Sequence, residues 1–272
     1  MKAIIVHAFD DAGFENRLQV SLDLARSFDG HLTLVNAIPV EAGVPGDFYG
    51  AAFAAMVPVW REGADKLREK TKKDMGNEDV PYDWIEVAGS ASAGLLRHSA
   101  LSDLIVVGPN EPQIDGRAPS ATVGDLALHA RCPVLVVPDT QSRIDVEAPV
   151  LVAWDGSAEA SRALRNAMPV LRRASKVFLA CVKEHGDSVD DFDFPPLKGA
   201  EYLARHGIES EIVELAKADR KVAAVLYDAA ARREAGMIVM GAYGHWRLAE
   251  RVFGGVTRAM LSDVKLPLFM TH

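Results

Sequence analysis

The chain has 272 residues, of which 49% are hydrophobic, and a formal net charge of −8 at pH 7. This length allows one large or two ordinary domains, and the hydrophobic content is typical of a well-packed globular protein. The acidic balance argues against a general nucleic-acid binder, because contact with phosphate backbones requires a basic face.

Membrane and secretory functions are not indicated either. No apolar run approaches the roughly 20 residues that cross a bilayer, and residues 1–7 lack the long apolar core of a signal peptide. Cys132 and Cys181 form neither a metal-binding spacing nor a disulfide framework. We therefore expect a cytoplasmic protein without membrane contact, in which both cysteines are buried free thiols.

The first half alternates short apolar runs with helical patterns, which is typical of a parallel sheet covered by helices. Apolar residues at Leu18, Leu22 and Ala25 follow one face of a helix predicted over 16–28. A long helix is expected over 51–75, interrupted or entered late because of Pro58. The other predicted elements are strands at 3–7, 31–37, 82–87, 104–108 and 134–137 and helices at 94–101 and 122–130.

The second half repeats this order. AIIVHAFD at 3–10 recurs as APVLVAWD at 148–155, DLIVVG at 103–108 as GMIVMG at 236–241, and CPVLVVP at 132–138 as LPLFMTH at 266–272. The repeat predicts two tandem domains of one fold, at 1–143 and 144–272, joined near the polar stretch 139–148. The second set of elements is predicted as strands at 150–153, 177–182, 209–215, 237–240 and 266–270 and helices at 157–173, capped by Ser157, and 222–234.

The segment 237–257 reads as a strand, a glycine-punctuated loop and the start of a helix. Gly241 and Gly244 permit tight turns, and Gly254 and Gly255 precede a helical pattern. Unpaired backbone N–H groups at a helix start attract anions, so the segment predicts a phosphate site. Neither the dinucleotide fingerprint G-x-G-x-x-G nor a G-x-x-x-x-G-K-[ST] loop describes this segment.

The spacing Gly-x-x-Gly, nine residues, then Gly resembles the nucleotide-binding signature of the universal stress protein family, and the repeat extends this resemblance over nearly the whole chain. Members that bind ATP usually carry Ser or Thr after the last Gly, where this chain has Gly255. The resemblance implies an α/β fold of two tandem Rossmann-like domains of the adenine nucleotide alpha hydrolase type. Each would contain a five-stranded parallel sheet of order 3-2-1-4-5 flanked by helices.

The same resemblance implies a site for ATP, or AMP or ADP, with Mg²⁺ accompanying the nucleotide. Asp155 would bind the ribose or adenine through its acceptor-only carboxylate. The other implied contacts are Val182, Met240, Gly241, Gly244, Gly254, Gly255, Val256 and Thr257. Further candidate phosphate contacts are His245, Arg247, Arg251 and Arg258, although solvated helix-face positions explain the arginines equally well. Trp154 either stacks on the base or packs in the core.

The corresponding loop of the first half lacks these glycines. Gly108 is followed by PNEP at 109–112, and Ser120 and Ala121 stand in place of the paired glycines. Side chains and missing proline N–H groups keep a phosphate away from this backbone. We therefore expect no nucleotide in the first domain, and Asp10 is interpreted as a turn or cap residue.

No catalytic residue or metal ligand is assigned. His185 with the aspartates at 187, 190, 191 and 193 fits a solvated loop or lid better than a metal site. His7, on a predicted buried strand, is interpreted as a core histidine.

The leading hypothesis is a stress-response sensor or regulator that binds an adenine nucleotide in its second domain, with at most slow ATP hydrolysis. The first domain would complete an intramolecular pseudo-dimer, and a homodimer of the whole chain is an alternative. One alternative is an interaction scaffold with a relic site, whose partner surface is the acidic first domain. Residues 1–143 carry 13 Lys and Arg against 20 Asp and Glu, whereas 144–272 carry 17 against 18. An enzyme acting on adenylates is less favoured, since fold alone does not assign chemistry.

Overall fold

The computed structural model describes residues 1–39, 48–110, 120–183, 194–242 and 255–272. None of the helices in these ranges is both long and apolar enough to cross a bilayer. The strands are β1 (Ala3–His7), β2 (His31–Ile38), β3 (Tyr82–Ala88), β4 (Leu104–Val107), β5 (Val134–Val136), β6 (Val150–Ala153), β7 (Val177–Lys183), β8 (Ser210–Ala216), β9 (Met237–Gly241) and β10 (Leu268–Thr271). The helices are α1 (Phe14–Phe28), α2 (Phe48–Met75), α3 (Ala91–His98), α4 (Ala121–His129), α5 (Ala158–Asn166), α6 (Met168–Leu171), α7 (Pro196–Arg205), α8 (Val222–Arg232) and α9 (Gly255–Leu261).

These strands form one sheet in the order β3-β2-β1-β4-β5-β10-β9-β6-β7-β8. Within each half the strands are parallel and follow the order 3-2-1-4-5, which confirms the fold class and the implied topology. The repeat predicts two sheets, but the structure joins them, because β5 and β10 pair antiparallel with Val136 opposite Leu268. Each strand thereby satisfies backbone groups that would otherwise lie at an open sheet edge.

Helices cover both faces of the sheet. We call the face under α1, α2, α5, α6 and α7 the first face and the one under α3, α4, α8 and α9 the second face, and each has its own core cluster. Strands buried on both sides read as continuous apolar runs, as β4 does. The strands of one half run antiparallel to those of the other. The carboxyl ends of the two sets of strands therefore point in opposite directions.

Two helices differ from their predictions at a proline. The predicted interruption of α2 is wrong, because the helix continues through Pro58. A proline removes one helical hydrogen bond, and in this helix the core packing of Ala64 and Leu67 outweighs that loss. The single helix predicted over 157–173 is also wrong. It divides into α5 and α6 at Ala167, where Pro169 enters the first turn of the second helix.

The helix α7 has no counterpart among the predicted elements. It begins at a proline pair, with Pro195 as the N-cap and Pro196 as the first residue, and it contains Gly199, so its composition is typical of a loop. Proline is tolerated in the first helical turn, where its missing N–H has no intrahelical partner to lose. Leu203 anchors the helix in the core of the first face.

The polar stretch between the halves is packed rather than free. Ile144 and Val146 join the core of the first face, and the N–H of Ile144 donates to the Asp23 carboxylate on α1 at 3.1 Å. Arg173, after α6, donates to the carbonyl of Ser27 at 2.6 Å. These contacts hold the connection against α1.

Both cysteines are buried, as predicted. Burial, together with the negative charge of Asp103, raises the pKa of the Cys132 thiol to about 12. Since the thiolate is the reactive form, Cys132 is an inert core residue at neutral pH.

Candidate functional site

The carboxyl ends of β6 and β9 form the switch point of the second half, where a ligand-binding crevice is expected. These two strands are parallel neighbours, with Val152 opposite Val239. β6 leads to α5 on the first face, whereas α9, after β9, lies on the second face. Where connections from neighbouring strands leave toward opposite faces, an open α/β sheet forms a ligand-binding crevice.

Asp155 lies at the rim of this crevice, exposed after the end of β6. Its Oδ1 accepts hydrogen bonds from the N–H of Ser157 at 3.0 Å and from the Ser157 hydroxyl at 2.6 Å. Ser157 in turn caps α5, since its Oγ accepts from the N–H of Ala160 at 3.1 Å, and the predicted cap is confirmed. The Oδ2 of Asp155 makes no hydrogen bond within the described ranges. It can therefore accept one from a ligand hydroxyl.

Gly241 ends β9 and packs against the first turn of α5. A Cβ at this position would lie 2.7 Å from the Ala160 nitrogen and 2.8 Å from the Cβ of Glu159. Helix–strand packing by itself therefore requires glycine here, independently of any phosphate. The sequence pattern shows the glycine but not this reason for it.

The two apolar residues expected beside a base differ in their exposure. Met240 is 4% exposed and lies in the core of the second face. Val182 is half-buried and packs against the same core. Val182 therefore offers more surface at this edge than Met240 does.

The start of α9 contributes Gly255 and Val256, which are exposed, and Thr257, which is buried. A Cβ on Gly255 would meet no atom within 4 Å, so packing does not require glycine at this position. Arg258 is exposed in the same helix. The remaining predicted contacts, Gly244, His245, Arg247, Arg251 and Gly254, lie outside the described residues, as do the metal candidates at 185–193.

The first half has the same topology, with β1 beside β4, but its own side chains fill the crevice. Arg17 on α1 is 1% exposed, and a Cβ on Gly108 would lie 2.5 Å from its Nη1. Its guanidinium donates to the carbonyls of His7 at 2.9 Å and Phe9 at 3.4 Å and pairs with Asp11 at 3.0 Å. Sequence reasoning missed Arg17. The sequence gives one indication of its role, a cationic residue directly before Leu18 in an amphipathic helix.

Further polar contacts lie at the carboxyl ends of the same strands. Asn110 donates to the carboxylate of Asp139 at 2.9 Å, and Asn16 donates to the carbonyl of Asp139. The turn role expected of Asp10 belongs to Asp11, whose Oδ1 accepts from the N–H of Gly13 at 2.8 Å. Counted from the helix cap, Asp11 corresponds to Asp155, because the first half has a longer connection between strand and helix.

The sequence model of the universal stress protein family matches residues 148–272. Residues 148–272 are therefore a domain of the universal stress protein family. A universal stress protein from Archaeoglobus fulgidus DSM 4304 has a similar structure, with a TM-score of 0.72 and 16% identity over 98% of this chain and 97% of that one. A functionally unknown protein from Pseudomonas aeruginosa PAO1 gives a TM-score of 0.58 and 16% identity over 100% and 92%. These matches show that the fold extends over both halves of the chain.

Trp154 packs in the core of the first face, beside the universal stress protein crevice but not in it. It is 6% exposed, and its Nε1–H donates to the carbonyl of Phe194 at 3.0 Å. The structure therefore supports core packing over stacking on a base for this residue.

His7 is buried at the end of β1, next to Arg17, and its Nε2 has no hydrogen-bond partner among the described residues. Its ring stacks on Phe9 with centroids 5.7 Å apart. Burial, followed by the charge of Arg17, lowers the pKa of His7 from 6.5 to about 3. This is the core histidine that the sequence predicts.

We expect the neutral state of His7 to make stability depend on pH. Between pH 3 and 6.5, His7 is neutral in the folded protein and protonated in the unfolded chain, so unfolding takes up a proton. The stabilisation is therefore complete above this pH range and is lost as pH falls through it. This residue should account for about 2 kcal/mol of lost unfolding free energy between pH 8 and pH 5. Urea unfolding at both pH values should show that loss in the wild type and not in His7→Leu. His129→Gln, at an exposed position on α4, should retain the wild-type difference. Equal losses in His7→Leu and wild type would contradict the assignment.

Proposed function

We propose that this universal stress protein binds an adenine nucleotide in the crevice between the ends of β6 and β9 and acts as a sensor or regulator. The observation that carries the proposal is the divergence of α5 and α9 to opposite faces in the half that matches the family. The uncommitted Oδ2 of Asp155 supports it, because a ribose hydroxyl can donate to this oxygen. Val182 provides apolar surface for the base.

In this proposal the phosphates extend toward the start of α9. The N–H groups of Gly255, Val256 and Thr257 would contact them, and residues 243–254, which lie outside the described ranges, would complete the site. The ligand is ATP, or ADP or AMP. Among the described residues no group of three or more His, Cys, Asp or Glu could hold a metal ion. We propose that Mg²⁺ accompanies the nucleotide, bound to its phosphates.

We assign this site no reaction beyond slow ATP hydrolysis. Asp155 is committed to Ser157 through Oδ1, and a regulator needs no general base. We further propose that residues 1–143 form a domain that serves as a permanent partner for a nucleotide-binding domain at 144–272. The filled crevice around Arg17 and the pairing of β5 with β10 support this division.

A thermal-unfolding scan with and without Mg-ATP tests the nucleotide site. At a ligand concentration about 100 times the dissociation constant, binding should add about 2.7 kcal/mol to stability and raise Tm by several degrees. Gly255→Asp should abolish this shift, because its carboxylate would lie where the phosphates bind. The fold should persist, since the position has room for a side chain and an acidic residue suits a helix start.

The matched control is Gly255→Asn, which has the same shape without the charge. It should retain most of the Tm shift. No shift for the wild type at millimolar Mg-ATP would overturn the proposal and favour the interaction scaffold. Equal shifts for the Asp and Asn variants would place the nucleotide elsewhere.

A further inference from the structure

A cleft of about 370 Å³ opens between α5 and α7 on the first face. Its apolar wall consists of Trp154, Ala158, Leu164, Phe194 and Tyr202. Its volume falls within the range of about 300–1,000 Å³ that is typical of small-molecule sites. Phe194 is exposed at the mouth, so the cleft presents apolar surface to solvent.

This cleft is separate from the proposed nucleotide crevice. Trp154 and Leu164 belong to the core of the first face, whereas Val182 and Met240 belong to that of the second face. The sheet lies between the two sets of side chains. A ligand in the cleft would leave the nucleotide crevice open, and the inference does not depend on the proposed function.

The wall of the cleft is preformed. The hydrogen bond from Trp154 Nε1 to the Phe194 carbonyl fixes the indole ring. Gly199 brings α7 close to the sheet, since a Cβ there would lie 3.0 Å from Leu179 Cδ2 and 3.5 Å from the indole. A wall that is held in place before binding reduces the entropy lost when a ligand enters.

Three cations line the same cleft: Arg162, Arg165 and Lys198. Two of them have carboxylate partners on their own helices, with Arg162 3.2 Å from Glu159 and Lys198 3.0 Å from Glu201. Within the described part of the chain Arg165 has no carboxylate within ion-pair distance. The cleft therefore combines an apolar wall with one guanidinium that has no carboxylate partner among the described residues and that can bind a carboxylate in a bidentate manner.

We propose that the cleft binds a small amphipathic carboxylate. Its alkyl or aryl body packs against the accessible side chains of Phe194 and Tyr202. Its carboxylate binds Arg165, with Arg162 and Lys198 adding positive charge. A cationic or neutral amphiphile of the same length lacks the interaction with Arg165. The charge of the ligand therefore separates specific binding from general adsorption to apolar surface.

Isothermal titration of the full chain with decanoate tests this site. We expect saturable 1:1 binding, weakened about tenfold or more in Arg165→Glu, because a charge-assisted hydrogen bond becomes a repulsion. Ser161→Phe, at a half-exposed position in the lining, should fill the cleft and reduce affinity at least as much. Arg232→Glu, the same charge change at an exposed site on α8, should leave the affinity within twofold of wild type.

Thermal unfolding without ligand verifies that each variant is folded. Decyltrimethylammonium or decanol binding as tightly as decanoate would overturn the proposal, since the head group would then not be recognised. Unchanged decanoate affinity in Arg165→Glu and Ser161→Phe, or no saturable binding at all, would overturn it as well. Decanoate affinity should be unaffected in Gly255→Asp, which separates this result from the test of the nucleotide site.

Discussion

Arg17→Met is expected to lower the free energy of unfolding by about 3 kcal/mol, because it removes the buried partner of a partly buried ion pair. Asp11 would lose the cation 3.0 Å away, and the carbonyls of His7 and Phe9 would lose their guanidinium donor. Contact with the Phe14 ring, 5.6 Å from the guanidinium carbon, would change as well. Urea unfolding followed by circular dichroism measures the loss.

Arg26→Met on the same helix is the matched control. Arg26 pairs with Asp23, Glu78 and Asp79, but its side chain is 39% exposed. Exposed ion pairs contribute about 0–1 kcal/mol, so this variant should remain close to wild type. Similar losses for the two variants would show that the burial of Arg17 has no special importance. In the double variant Arg17→Met, Asp11→Asn, a smaller loss than the sum of the single variants would identify the pair as the source.

Gly255→Ser is expected to tighten Mg-ATP binding about tenfold to a hundredfold. Serine or threonine is usual at this position in ATP-binding relatives, and a hydrogen bond to a charged group contributes about 1.5–3 kcal/mol. The structure can accept the change, because a Cβ there meets no atom within 4 Å and the backbone lies outside the left-handed region. Calorimetric titration with Mg-ATP provides the dissociation constants.

Gly255→Ala separates the hydroxyl from the effect of replacing a glycine. It should bind Mg-ATP within a few-fold of wild type, while its α9 should be slightly more stable. If serine and alanine bind equally, the hydroxyl does not contact the phosphates. If both bind more weakly than wild type, the absence of a side chain at residue 255 is itself required.

The positions of most strands and helices follow from the sequence alone, because they depend on local patterns. Nine of the ten described strands begin within one residue of the start that the apolar runs and their repetition predict. Ser157 is predictable as a cap because the interaction spans three residues. Asp155 is predictable at the rim, since the end of a strand is a local feature. The helix α7 was missed where loop-like composition hides a helix that tertiary packing stabilises.

Only the tertiary structure decided which strand ends are filled by the chain's own side chains. Arg17 meets Gly108 and Gly241 meets Ala160 across many intervening residues, and no period or motif encodes such contacts. The same holds for the cleft beside Trp154, whose indole is fixed by a carbonyl 40 residues later. It also holds for the pairing of β5 with β10 that makes one sheet of two. Local sequence determines the elements and the residues at their ends, whereas side-chain volume and hydrogen bonding between distant segments determine which of those ends can accept a ligand.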